Sequence, residues 1–160
     1  MAHIHTDHCH SQAERIAEAE ALCRRNGARF TDMRRTVFEF LLDRRAPVTA
    51  YDLLAALQLK LEKPLAPPTV YRALDFLLGQ RLIHKLESNS SYLICDHPGE
   101  AHESLYLVCT ACGTTRELED AGLEALLGAR AAAVGFIPAR QVIEVQGLCA
   151  SCSNAAGKSA

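Results

Sequence analysis

The chain has 160 residues, 49% of them apolar, which allows one or two small domains with packed cores. No apolar run approaches the ~20 residues of a membrane span, and the N-terminus has no apolar signal-peptide core, so a cytoplasmic protein is expected. Its seven cysteines then read as metal ligands or buried thiols rather than disulfides. The net charge of −2 argues against a generic polyanion binder, but the charge is uneven: residues 1–95 carry +2 and residues 96–160 carry −4. Seven arginines (Arg24, Arg25, Arg29, Arg34, Arg35, Arg44 and Arg45) crowd into 22 positions. That pattern suits a modestly basic N-terminal face, and charge alone fits an ordinary solvated helix surface equally well.

Residues 1–10, "MAHIHTDHCH", pack four histidines and one cysteine into a polar, unpatterned segment. It is expected to be mobile and at most a minor metal scavenger, since binding would cost its conformational entropy. Ser11 to Asn26 then reads as an amphipathic helix with Ile16, Ala19 and Cys23 on its apolar stripe and Gly27 past its end. Cys23 is therefore expected in the core. Thr31 is expected to cap a second helix over "MRRTVFEFLLD". A third begins at "VTAYDLL", where Thr49 and Asp52 have capping-box-like spacing and Val48 can staple onto Leu53.

"APPTVYRALDFLLGQ" predicts a fourth helix, with its prolines in the first turn. Val70, Ala73, Leu74, Leu77 and Leu78 form its buried stripe, and Tyr71, Arg72 and Asp75 point the other way. "LIHKLE" and "SYLIC" follow as two strands joined by the turn "SNS". Helices followed by a hairpin predict a winged helix-turn-helix, in which the first turns of the last helix, here Thr69, Tyr71 and Arg72, meet base edges.

Beyond His97 the texture changes. "DHPGEAHES" reads as a hinge, "LYLVC" and "TTREL" as strands, "EDAGLEALLGARAAAVGF" as a helix and "RQVIEVQGLC" as a last strand. This half is too small to be comfortably stable alone, and a zinc staple and a partner subunit would both remedy that. Cys109-x-x-Cys112 and Cys149-x-x-Cys152 can place four thiolates around one tetrahedral Zn²⁺, with no open position for substrate. A redox dithiol is the rival reading, but two matched pairs favour a structural metal.

A second ligand set is conceivable. His84 begins the first wing strand and Cys95 ends the second, so antiparallel pairing sets them side by side. His102 lies in the hinge and Glu117 comes from the C-terminal half, with Asp96 and His97 as alternative ligands. One thiolate, two imidazoles and a carboxylate suit tetrahedral Zn²⁺ better than octahedral Mn²⁺.

"PPTVYRALDFLL", "HKLESNSSYLIC", "CTACG" and "VIEVQGLCASC" resemble the ferric-uptake-regulator family, and closely its zinc-uptake-regulator branch, over roughly residues 12–152. The resemblance implies a dimeric, metal-dependent repressor. It carries a structural zinc onto Cys109, Cys112, Cys149 and Cys152 and a sensory zinc onto His84, Cys95, His102 and Glu117, two per monomer. It also carries DNA contacts onto Tyr51 and Arg72. The His-rich hinge motif of the iron-sensing branch is replaced by "CDHPGEAH", which favours zinc; "TDMR" departs from the family's common "TPQR" without touching a ligand.

The expected fold is thus α+β. A winged-helix DNA-binding domain (11–96) follows the mobile N-terminus, then a hinge (97–103), a small α/β dimerisation domain with a four-cysteine zinc site (104–153) and a mobile tail (154–160). The expected function is zinc-responsive repression of zinc-uptake genes through palindromic operator DNA, with a homodimer as the binding form. Sensing of another metal or of peroxide, or zinc storage and delivery, are the alternatives. No membrane or small organic substrate is expected. Nor is an enzyme: "HES" and "CTAC" do not supply a zinc deaminase's H-x-E and P-C-x-x-C.

Overall fold

The computed structural model describes residues 11–44, 46–99, 104–118, 120–138 and 142–156. The expectations for the His-rich N-terminus, for His102 and for residues 157–160 fall outside them. The chain divides into one compact unit over residues 9–100 and another that includes residues 101–160.

The first unit is built from α1 (Gln12–Arg25), α2 (Asp32–Leu42), β1 (Val48–Thr49), α3 (Ala50–Leu61), α4 (Pro67–Gly79), β2 (Ile83–Leu86) and β3 (Ser91–Ile94). Helix α1 starts at a reciprocal capping box: the Glu14 N–H donates to Ser11 Oγ at 3.3 Å and the Ser11 N–H to Glu14 Oε2 at 2.7 Å. Thr49 caps α3 by accepting from the Asp52 N–H at 3.1 Å, and Val48 and Leu53 both lie in the core as the staple requires. Thr31 occupies the N-cap position of α2 but its hydroxyl caps nothing. The Asp32 carboxylate instead supplies negative charge to that helix's first turn.

The core fills as the sequence periodicity predicts. Ala19 and Cys23 of α1, Val37, Phe38 and Leu41 of α2, Leu53 and Leu57 of α3, and Val70, Ala73, Leu74 and Leu77 of α4 are all buried. Leu78 is half-buried at its edge. Burial pushes the Cys23 thiol above its ordinary range, as befits a packed apolar side chain. The wing is a three-stranded antiparallel sheet in the order β1-β3-β2, with His84 opposite Leu93. The third strand, β1, is a two-residue pairing of Val48 and Thr49 with Tyr92 and Ser91 that sequence alone did not suggest.

The second unit holds β4 (Ser104–Cys109), β5 (Thr115–Leu118), α5 (Ala121–Ala133), β6 (Val142–Gly147) and α6 (Ala150–Ala156). Its sheet runs β5-β4-β6, with β4 antiparallel to β5 and parallel to β6. A parallel partner needs a crossover, and α5 lies within it. Asp120 caps α5 by accepting from the N–H groups of Gly122 and Leu123 at 2.9 and 3.0 Å. Among the described residues, no helix is long and apolar enough to cross a membrane.

Leu74 is fully buried in α4. Leu74→Ala is expected to destabilise the first unit by ~2–5 kcal/mol in chemical denaturation, the usual cost of a cavity at such a site. A loss below about 1 kcal/mol would mean that α4 is not packed through this stripe.

Candidate metal centres and reading face

The four-cysteine cluster follows from sheet register. Parallel pairing sets Cys109, the last residue of β4, opposite Gly147, the last of β6. The pairing continues one step past the strands, where the Thr110 N–H donates to the Gly147 carbonyl at 2.8 Å. After Cys109 the chain turns back into β5 through Gly113, at φ +75°, a left-handed conformation that glycine adopts without a Cβ penalty. The turn is closed by the Gly113 N–H on the Cys109 carbonyl and the Cys109 N–H on the Thr114 carbonyl, both at 2.9 Å. From β6 the chain reaches Cys149 two residues on, and the first turns of α6 present Cys152.

All four Sγ atoms consequently lie within 4.8 Å of one another. Cys112 and Cys149 are 3.8 Å apart, close to the edge of about 3.8 Å implied by a zinc–thiolate tetrahedron with Zn–S near 2.3 Å. The local field already favours thiolate here. The Cys149 N–H donates to Cys109 Sγ at 3.4 Å and, as the largest influence, helps to lower that thiol to about 6. The Thr114 hydroxyl, 3.2 Å from Cys112 Sγ, is the main cause of a lowered Cys112. Cys152 is pushed up to about 12, chiefly by its hydrogen bond with Cys149. A cluster that holds one proton tightly while stabilising thiolate at Cys109 suits a divalent soft cation, which would replace that proton and neutralise the crowded sulfurs.

The second candidate set is distributed over both units. His84 is half-buried on β2. Cys95 is fully buried one residue past β3, and its N–H continues the ladder to the Leu82 carbonyl at 3.1 Å. With His84 opposite Leu93, Cys95 lies diagonally across from His84 on the same face of the hairpin. The expected meeting of the two strand ends therefore holds in the backbone register. In the other unit, Glu117 of β5 faces Tyr106 of β4, whose hydroxyl donates to Glu117 Oε1 at 3.2 Å. Of the alternatives, Asp96 is exposed and His97 half-buried.

On the helical face, the prolines open α4 as expected. Tyr71 and Arg72 are exposed, Thr69 is half-buried in the first turn, and Tyr51 at the start of α3 is 77% exposed. Several arginines of the basic run are engaged internally: Arg34 stacks on Phe76 at 3.5 Å, Arg44 on Phe40 at 4.9 Å, and Arg35 pairs with Glu20. One contact had no local signal. Arg15 of α1 donates from Nη2 to the Cys95 carbonyl at 2.6 Å, across 80 residues of sequence.

Residues 25–146 match the model of the ferric uptake regulator family. The chain is 41% identical to the zinc uptake regulation protein of Escherichia coli K12 over 142 residues, spanning 87% of this chain and 81% of that one. A solved zinc uptake regulator complexed with zinc and DNA superposes with a TM-score of 0.85 at 38% identity, over 92% of this chain and 99% of its own. Holo XcZur superposes at 0.80 with 41% identity, over 90% and 99%. The chain belongs to the ferric uptake regulator family, in its zinc-uptake-regulator branch.

In the reduced protein with metal removed and its circular-dichroism spectrum retained, thiolate absorbance is expected to show a first cysteine ionisation at about 6. Because Cys109 is depressed, that thiolate is present above this pH and lost below it, and Cys109→Ser should abolish the step. A first ionisation at the ordinary thiol value would mean that the Cys149 amide does not reach the sulfur.

Proposed function

We propose that this protein is a zinc-responsive transcriptional repressor that binds operator DNA as a homodimer and controls zinc uptake. One observation carries the reading: the chain has more zinc-suited ligands than one closed site can use. Four sulfurs within 4.8 Å of one another suffice for a closed structural site. His84 and Cys95 are left over, and they share one face of the wing hairpin in the unit that carries the exposed Tyr71 and Arg72. A sensor needs that coupling of ligand to reading helix.

In this reading, Cys109, Cys112, Cys149 and Cys152 hold the structural zinc, and His84, Cys95, His102 and Glu117 hold the regulatory one, two per monomer. The donor sets suit the assignment, since thiolate and imidazole with one carboxylate are ordinary tetrahedral zinc chemistry. Once held there, the metal would supply a free-energy difference between conformations rather than chemistry on a substrate. His84 and Cys95 fix the wing end of the clasp, Glu117 the other, and the Tyr106 hydroxyl orients the carboxylate. Tyr51, Thr69, Tyr71 and Arg72 would read the operator, with the Arg72 guanidinium suited to the guanine edge in the major groove.

Dimerisation is supported by the apolar side chains the second unit leaves in solvent, among them Leu126, Val134, Phe136 and Ile137. The relatives support the rest: they are named as zinc uptake regulators, and one was solved with zinc and DNA. Family membership points to regulation rather than catalysis.

Cys95→Ser tests the sensing site. The variant is expected to fold, stay dimeric and keep about one zinc per monomer, yet need far more zinc to bind operator, because a ligand shifts an equilibrium only by its differential affinity for the two states. Anisotropy in a zinc-buffered series reads the midpoint, and an unchanged one would remove Cys95 from the sensor. Arg72→Ala should cost ~1–3 kcal/mol of operator discrimination at unchanged zinc content. Normal sequence preference in footprinting would show that the reading helix is assigned wrongly.

A further inference from the structure

The segment that carries Cys95, Asp96 and His97 does not leave the wing freely; it is held along α1 at two points. At its start, Arg15 Nη2 donates to the Cys95 carbonyl at 2.6 Å, and Arg15 Nη1 stands 3.9 Å from Asp96 Oδ1. The Arg15 side chain is only 14% exposed, so this charge-assisted bond works in a partly dry setting. At the segment's end, Gly99 lies against Leu22 so closely that a Cβ would sit 2.7 Å from Leu22 Cδ1. Gly99 also has φ +82°, and its N–H donates to the Arg81 carbonyl at 3.4 Å. Arg15 and Leu22 are two helical turns apart, about 10 Å. Between these anchors the chain bends at Asp96 and His97 and turns at Pro98 and Gly99.

We propose that α1 is a splint for the regulatory zinc site, with Arg15 and Gly99 as positioning residues. Arg15 acts through Cys95: it fixes the carbonyl, and with it the peptide planes that aim the thiol, before metal arrives. A preorganised ligand loses less conformational entropy on binding. The same strap passes the metal's pull to α1, which touches the rest of the unit through the buried Ala19, Leu22 and Cys23 and through the Glu20–Arg35 ion pair with α2. The inference rests on the assignment of Cys95 to the regulatory site and names the residues that make that site responsive.

Arg15→Gln keeps a donor but loses the fork and the charge; Arg15→Lys keeps the charge with a single point donor. Chelator competition for the second zinc and zinc-buffered operator anisotropy are measured on both variants in the full chain. Arg15→Gln is expected to weaken the second zinc about 10- to 100-fold, the usual cost of losing a partner that orients a metal ligand. The operator midpoint should move with it. Affinity at saturating zinc and the four-cysteine metal should stay unchanged, and Arg15→Lys should recover part of the loss. A merely structural role would lower operator affinity even at saturating zinc, and that result, or an unchanged second-site affinity in Arg15→Gln, overturns the proposal. If Arg15→Gln fails to fold, Gly99→Ala loosens the other anchor and must shift the same affinity; wild-type behaviour there also overturns it. A wild-type protein that binds a second zinc but represses without regard to it would sink the zinc-responsive reading. The splint would then still stand or fall by chelator competition.

Discussion

The second unit depends on one register. If β4 and β6 did not pair in parallel with Cys109 opposite Gly147, the two cysteine pairs would never share a metal. Little else holds this unit together as a single chain. Among its described residues, the buried hydrophobic side chains are Tyr106, Val108 and Cys109, and helix α5 buries none. At ~25 cal/mol per Å² of apolar area removed from water, so small a core cannot offset the entropy of ordering fifty-odd residues. The deficit has two chemical remedies present in the sequence. Four thiolates can turn metal binding into folding free energy, and the apolar side chains left in solvent can be buried by a second copy.

The first unit solves the opposite problem. Its core is complete within one chain, so its stability needs neither metal nor partner, and its surface is free to carry information. The stripe Val70, Ala73, Leu74 and Leu77 fixes the rotation of α4 and turns Tyr71 and Arg72 outward. The arginine run behaves differently from its charge. Stacking of Arg34 on Phe76 ties α2 to α4, while Arg44 folds back on Phe40 at the end of its own helix. Part of the positive run is therefore engaged within the unit rather than left wholly to solvent.

Much of this was legible in the sequence because it is local. Helical period, the Ser11 and Thr49 caps, the prolines of α4 and the paired C-x-x-C motifs each act within a few residues. What escaped was long-range or too short to leave a pattern. Thr31 has the right chemistry for a cap, but cap geometry depends on the rotamer, and Asp32 already serves the first turn. β1 is two residues long and exists only because Tyr92 and Ser91 lie opposite it. α6 follows the last strand so closely that Cys149-x-x-Cys152 looked like a strand end. The parallel pairing of β4 with β6 and the Arg15 contact with Cys95 are tertiary facts with no periodic signature. The four-cysteine site could be read because each half is a local motif; the second ligand set could be read only in pieces.

The two donor sets differ in the property that separates a staple from a sensor. A site whose four ligands come from one sheet end and its adjoining turn and helix forms whenever that unit folds, so its occupancy reports folding. In the proposed regulatory site, donors drawn from the wing and from β5 would impose a further condition, because their carriers would have to adopt one arrangement before all could bind. The work of reaching that arrangement is subtracted from the affinity, and K_d,app rises by the reciprocal of the competent fraction. Such weakening would make the site useful, since it would separate its zinc midpoint from that of the four-sulfur site. A residue that raised the competent fraction in advance, as Arg15 is proposed to do by holding the Cys95 carbonyl, would lower the concentration at which the switch acts. Under the proposed assignment, sensitivity would depend on how residues 95–99 leave the wing as much as on the ligands themselves.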